Sequence, residues 1–248
     1  MTSFQLSGAP NFRDLGGYAT ISGRTVRRHR LFRSDHLGAL DAADLETVAG
    51  TLGHSLRVFD LRGVQERETA GCAIPGATVH SLPIEPTIVQ KLGELIAAGR
   101  QLTEDDTVAL MQDTYRGFVR GNTPRFAALF THLLDPHEAP VVFHCTAGKD
   151  RTGFAAALLL RALDVPQDIV MHDYLYTNER LAGRLHPGTL PTHVASVLWS
   201  VRPEFLHAAF DAVQRDFGSL DGYLREGLGL GGPERERLAE LYLETAGR

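Results

Sequence analysis

Along the first half of the chain, short apolar runs end in polar turns. Leu31-Phe32-Arg33, Leu56-Arg57-Val58-Phe59-Asp60-Leu61 and Thr78-Val79-His80-Ser81-Leu82 read as strands. Pro140-Val141-Val142-Phe143-His144-Cys145 reads as a buried strand running into a loop, because β-branched and aromatic side chains fit a pleated surface better than a helix. Helical spacing predicts helices over 41–49, which opens on an acidic cap candidate, over 103–119, and over 122–134, with Pro124 near its start, where proline is tolerated. Residues 152–163 are apolar almost all round and predict a buried central helix that stops before Pro166. Beyond it the pattern is helical throughout, over 167–185, 193–199, 203–217, 220–227 and 233–246. Strands alternating with helices and followed by a helical tail predict an α/β fold, a mainly parallel central sheet flanked by helices with a helical C-terminal region. The Gly/Pro-rich stretch 186–191 is the candidate hinge or loop within a single domain spanning 1–248.

Composition narrows the function classes. The 248 residues are 43% hydrophobic and carry a formal net charge of −5, which disfavours general binding to nucleic acid and leaves any anionic ligand to a local site. Two cysteines, Cys72 and Cys145, point to a reducing compartment rather than a disulfide framework. The N-terminus has neither a basic n-region nor an apolar h-region, and the longest apolar run, 154–160, is too short to span a bilayer. These features lead to the expectation of a cytoplasmic protein without integral membrane contact.

The chemistry concentrates in His144-Cys145-Thr146-Ala147-Gly148-Lys149-Asp150-Arg151-Thr152-Gly153, where five residues separate a cysteine from an arginine between a buried strand and a buried helix. Loop amides and a helix N-terminus make a nest of donors for an oxyanion. Gly148 and Gly153 allow close approach, and Arg151 supplies a planar fork for two phosphate oxygens. The positive setting favours a Cys145 thiolate, an in-line nucleophile toward phosphorus. Thr146, Ala147, Gly148, Lys149, Asp150, Arg151 and Thr152 are the expected phosphate-binding residues, with Thr152 placed to hydrogen-bond the sulfur. His144 precedes the nucleophile and is expected to order the loop rather than act as a base. The leaving oxygen needs a proton donor. Asp60, at the C-terminal end of a strand, and Asp150, inside the loop, are the two candidates.

The segment resembles the CX5R signature of protein tyrosine phosphatases, and its Gly-Lys-Asp-Arg-Thr-Gly form is similar to the atypical bacterial tyrosine and lipid phosphatases. Asn11-Phe12-Arg13-Asp14-Leu15-Gly16-Gly17-Tyr18 with Leu31-Phe32-Arg33-Ser34-Asp35, Asp60-Leu61-Arg62 with Glu66 to Glu68, and Asp173-Tyr174-Leu175 with Asn178-Glu179-Arg180 look like further motifs of that family in the expected order. The resemblance implies a tyrosine-phosphatase-like fold and hydrolysis of phosphomonoesters through a phosphocysteine, with no metal and no cofactor. It implies phosphorylated protein or phosphoinositide as substrate, and inorganic phosphate or vanadate as a site ligand. It places Asp60 ahead of Asp150 as general acid, with Cys145 and Arg151 catalytic, and a helical lid over about 186–217. Lys149 is similar to the loop lysine of tensin-type lipid phosphatases, which is why phosphoinositides enter alongside phosphotyrosine and phosphoserine or phosphothreonine.

Each reading has a plainer rival. Asp60 could be no more than the ion-pair partner of Arg62, and Cys72 a small space-filling residue in a loop. The cluster Arg24, Arg27, Arg28, His29 and Arg30 reads as a solvated strand or turn. The eleven histidines show no ligand pattern for a metal. A nucleotide-binding P-loop would need glycine at Phe143 and Ser/Thr at Asp150, and an arsenate reductase would need resolving thiols where only Cys72 is available. A catalytically silent phosphate-binding module is the remaining alternative, disfavoured because nucleophile, arginine and acid candidates are all present.

Overall fold

The computed structural model describes residues 5–53, 55–184 and 190–245. In chain order the elements are β1 (Arg13–Asp14), β2 (Arg24–Val26), β3 (Leu31–Ser34), α1 (Ala42–Leu52), β4 (Arg57–Asp60), α2 (Val64–Thr69), β5 (Thr78–Ser81), α3 (Thr87–Ala97), α4 (Glu104–Leu134), β6 (Val141–His144), α5 (Arg151–Ala162), α6 (Gln167–Arg180), α7 (Thr192–Leu198), α8 (Pro203–Phe217), α9 (Leu220–Gly222), α10 (Gly232–Tyr242) and β7 (Leu243–Thr245). Five strands form the central sheet in the order β1-β3-β6-β4-β5. All neighbours are parallel except β1 against β3. The fold is therefore the expected α/β architecture with a mainly parallel sheet flanked by helices and a helical C-terminal region.

Register places the site. Ser34 of β3 and Asp60 of β4 both pair with His144 of β6, so three parallel strands end level. The chain after β6 then emerges between the chains leaving β3 and β4, at the carboxyl edge where open α/β sheets bind ligands. Every residue of β6 is buried, because helices cover both faces of the sheet. Leu31, Phe59, Val141 and Phe143 face the larger apolar core with α4, α5 and α8. Phe32, Val58 and Val142 face a smaller one beneath α1, the alternation a strand imposes. Among the described residues no helix is long and apolar enough to cross a membrane.

Several details depart from the sequence pattern. The helices expected over 103–119 and 122–134 are one 31-residue helix with Pro124 inside it. Just before Pro124, Asn122 Nδ2 and Thr123 Oγ1 donate to the Gly117 and Val119 carbonyls; the bond that the proline itself removes is the one to the Arg120 carbonyl. The tail is not wholly helical: the last expected helix gives way to β7, which pairs antiparallel with β2. The 220–227 helix becomes the short α9 followed by a π-turn at Tyr223–Gly227. The Arg24–Arg30 cluster is spent on structure, with Arg27 donating to the Leu243 carbonyl and Arg30 to those of His137 and Glu138. Of the span 186–217 expected as a lid, 186–189 lie outside the described residues; α7 and α8 pack on α4, with Val194, Val197, Phe205 and Ala209 buried.

Candidate active site

Cys145 leaves the buried end of β6 and is itself 2% exposed, at the start of a loop that closes on α5. The loop is held from outside by its carbonyls. His36 N donates to the Thr146 carbonyl at 3.0 Å, Asn11 Nδ2 to those of Ala147 and Gly148 at 2.9 and 3.0 Å, and Arg33 to that of Gly148 at 2.8 Å. In a trans peptide the C=O and N–H point in opposite directions, so drawing these carbonyls outward turns the following amides toward the concave side. Gly148 adopts φ 65°, and a Cβ there would stand 2.4 Å from the Ser34 carbonyl oxygen, so only glycine lets the loop lie this close to β3.

A buried ionic cluster braces that arrangement. Asp173 on α6 accepts from Arg13 Nε at 2.9 Å, from Arg33 at 2.6 Å and from Tyr18 OH at 3.0 Å. Burial alone would raise the Asp173 carboxyl, but the two guanidinium groups outweigh it and hold the group well below the usual carboxylate range. Asn11, Arg13, Tyr18 and Arg33 are thus the frame behind the loop. Burial pushes the neighbouring Asp35 carboxyl up to about 7, and it accepts from the Asn11 amide.

Arg151 closes the rim. Its guanidinium donates to both Glu66 oxygens, at 2.6 and 2.8 Å, and to the Ile84 carbonyl at 2.9 Å. Glu66 also accepts from Thr146 Oγ1 and the Gly63 amide. Burial would raise Glu66, but Arg151 and Thr146 bring it down to about 2, so it is a permanent anion positioning the fork. The Glu66 role was missed at the sequence level beyond its place in a motif. A cavity of about 350 Å³, lined by residues including His36, Gln65, Glu66 and Thr146, opens beside the loop.

The two acid candidates sit in different settings. Asp60 is buried, and both its oxygens accept from Arg62, at 2.7 to 3.2 Å, with the Arg62 amide adding a bond at 2.9 Å. Burial opposes its charge, yet the bonds from Arg62 lower the carboxyl below its ordinary value. His144 is held neutral, its pKa lowered to about 4 by burial, with Nδ1 against the Cys145 carbonyl. Asp60 thus forms the ion pair with Arg62. Asp150 lies in the loop with its side chain 23% exposed. It takes bonds from Lys149 Nζ at 2.7 Å and Tyr115 OH at 3.0 Å. Lys149 is 4% exposed and reaches the Ser200 carbonyl at 3.4 Å, tying the chain after α7 to the loop. Thr152 Oγ1 is buried with no hydrogen-bond partner among the described residues, so the bond to the Cys145 sulfur expected from its position is not formed. Cys72 is half-buried against the smaller core, and neither cysteine is in a disulfide.

A strand-borne cysteine, an oxyanion loop and a closing arginine define a cysteine-dependent phosphatase. The chain belongs to the tyrosine phosphatase family, whose pattern it matches over residues 4–244. It is 37% identical over 231 residues, 88% of this chain and 81% of the other, to a Cupriavidus necator protein whose name assigns it to the tyrosine-protein phosphatases. It is 33% identical over 261 aligned positions to the triple specificity protein phosphatase PtpB of Mycobacterium tuberculosis, covering 90% of this chain and 92% of that one.

Proposed function

We propose that this enzyme dephosphorylates phosphotyrosine in proteins through a phosphocysteine on Cys145, with Asp150 as the proton donor. The observation that carries the reading is the loop itself, its carbonyls drawn outward between Cys145 at the floor and Arg151 at the rim. The phosphoryl oxygens bind the loop amides and the Arg151 fork. Cys145 thiolate attacks phosphorus in line, the S–P bond forms as the P–O bond to the leaving group breaks, and Asp150 passes its proton to that oxygen. In the second step water loses a proton to Asp150 and displaces the sulfur as the S–P bond breaks. Fixed donors stabilise the charge on the transferring group throughout.

Both carboxylates face a cation, Asp60 that of Arg62 and Asp150 that of Lys149; Asp150 is preferred because its side chain is 23% exposed within the loop, whereas that of Asp60 is 5% exposed and held by three bonds from the Arg62 guanidinium. Phosphotyrosine is preferred over phosphoinositides because Lys149, the charge that a second phosphate would seek, is buried and spent on Asp150. PtpB of M. tuberculosis carries a triple-specificity name, so phosphoserine and phosphothreonine are the natural second arm of the assay.

Asp150→Asn is expected to lower kcat on phenyl phosphate by about 10²-fold and to flatten the high-pH limb, since the acid must be protonated in the first step. Asp60→Asn should keep the wild-type dependence on leaving group. The reverse pattern would return the role to Asp60. Phosphotyrosine peptide, phosphoserine peptide and phosphoinositide assayed side by side should give the highest kcat/KM for the first; a phosphoinositide preference would overturn the substrate assignment.

A further inference from the structure

Two buried phenols stand in series behind the Asp150 carboxylate. Tyr115 of α4 is 0% exposed and Tyr174 of α6 is 1% exposed. Their hydroxyl oxygens lie 2.7 Å apart, and Tyr115 OH lies 3.0 Å from Asp150 Oδ1. A phenol has a single proton to donate. A chain that satisfies every group therefore runs in one direction: Tyr174 donates to Tyr115, and Tyr115 donates to Asp150. Burial keeps both hydroxyls protonated, raising them well above the ordinary tyrosine range, with the Asp150 charge adding to it. The Tyr115 ring is clamped by Phe118 and Phe205, at centroid distances of 5.1 and 5.9 Å, so the hydroxyl has little freedom to leave.

We propose that Tyr115, braced by Tyr174, is a positioning residue for the proton-transfer step: it pins Asp150 Oδ1 and so assigns the transferable proton to Oδ2. This deepens the reading of Asp150 as the acid and rests on it. In the first half-reaction the proton on Oδ2 passes to the leaving oxygen as the P–O bond breaks. In the second, Oδ2 takes a proton from the attacking water as the S–P bond breaks. Throughout, Oδ1 keeps its bond from Tyr115, so the carboxyl does not rotate between the two halves. Among the described residues, the charged and titratable groups around Asp150 and its two phenols include Lys149 and Arg151 in the loop, Cys145 at its floor, Tyr115 from α4 and Tyr174 from α6, with Arg33 of β3 and Glu204 of α8 acting on Tyr174. Lys149 contacts both carboxylate oxygens, at 2.7 and 2.6 Å, and cannot choose between them. Tyr115 touches one oxygen alone and makes the choice.

The test is the dependence on leaving group in Tyr115→Phe, which removes one oxygen atom and keeps the ring. With phenyl phosphate, a poor leaving group, kcat should fall roughly tenfold at little change in KM; with 4-nitrophenyl phosphate the fall should be about twofold or less. Removing a donor to the carboxylate should also move the high-pH limb of kcat upward. Tyr174→Phe should shift both readouts the same way by less, and it carries the test if Tyr115→Phe does not fold. Equal losses on both substrates would mean a merely structural hydroxyl and overturn the proposal, as would no loss on either. If Asp150→Asn retains the wild-type leaving-group dependence, the assignment of the acid fails and this inference with it. If Asp150→Asn loses that dependence while Tyr115→Phe matches wild type, the inference alone fails.

Discussion

Arg151→Lys is expected to lower kcat/KM on aryl phosphates by about 10³-fold, in kcat as well as KM, although it keeps the positive charge. Arg151 presents a planar fork whose orientation is set by two bonds to Glu66 and one to the Ile84 carbonyl. A lysine ammonium is a compact point charge that cannot hold two phosphoryl oxygens side by side as the transferring group flattens. It also cannot keep the paired contact with Glu66, which would be left as a half-buried anion at the rim, repelling the substrate. Steady-state kinetics on purified protein with matched circular dichroism checks this. A loss under tenfold would show that charge alone is needed and that the fork is incidental.

The largest stability effect is expected from Asp173→Ala. Its carboxylate neutralises Arg13 and Arg33, and all three side chains are at most 3% exposed. Removing it leaves two buried guanidiniums facing each other, a change that costs roughly 3–5 kcal/mol when a buried pair is broken. At ~2–4 °C per kcal/mol for a chain of this size, the thermal midpoint should fall by roughly 6–20 °C. Asp216→Ala, at an exposed pair with Arg120, is the control and should shift it by a degree or two. The sign of the pH effect follows from the depressed Asp173 carboxyl. Its contribution is complete above the unfolded carboxylate value, about 3.9, and is lost as pH falls through the lower folded value. Wild type should therefore lose stability on acidification below about pH 4, and Asp173→Ala should lose less over the same window. Equal midpoints for the two proteins at neutral pH would contradict the role given to the cluster.

The nucleophile and its loop could be read directly because they are contiguous: the strand, Cys145, Gly148, Arg151 and the apolar helix follow one another. The strands β3, β4 and β6 were legible for the same local reason, an apolar run bounded by turns. What sequence did not reveal are contacts that only topology creates. Glu66 and Arg151 meet because β4 and β6 end level, and Tyr115 meets Asp150 because α4 crosses behind the loop. The proposal of Asp150 over Asp60 rests partly on Arg62 folding back two residues onto Asp60, a side-chain conformation no spacing rule fixes. Pro124 looked like a helix start because proline is at home in a first turn, whereas α4 runs through it while packed along α8. The terminal strand β7 is three residues long and exists because β2 is there to pair with it.

The central claim is that phosphorus becomes bonded to the sulfur of residue 145. Wild-type enzyme mixed with 4-nitrophenyl phosphate, quenched in acid within the first turnover and digested with pepsin should yield a phosphorylated peptide containing Cys145, with the label in excess in Asp150→Asn, whose second step is slowed. Cys145→Ser should give neither labelled peptide nor nitrophenol. A Cys145→Ser protein that still releases nitrophenol at the wild-type rate, or a wild-type digest in which that peptide never carries phosphate, would contradict the account.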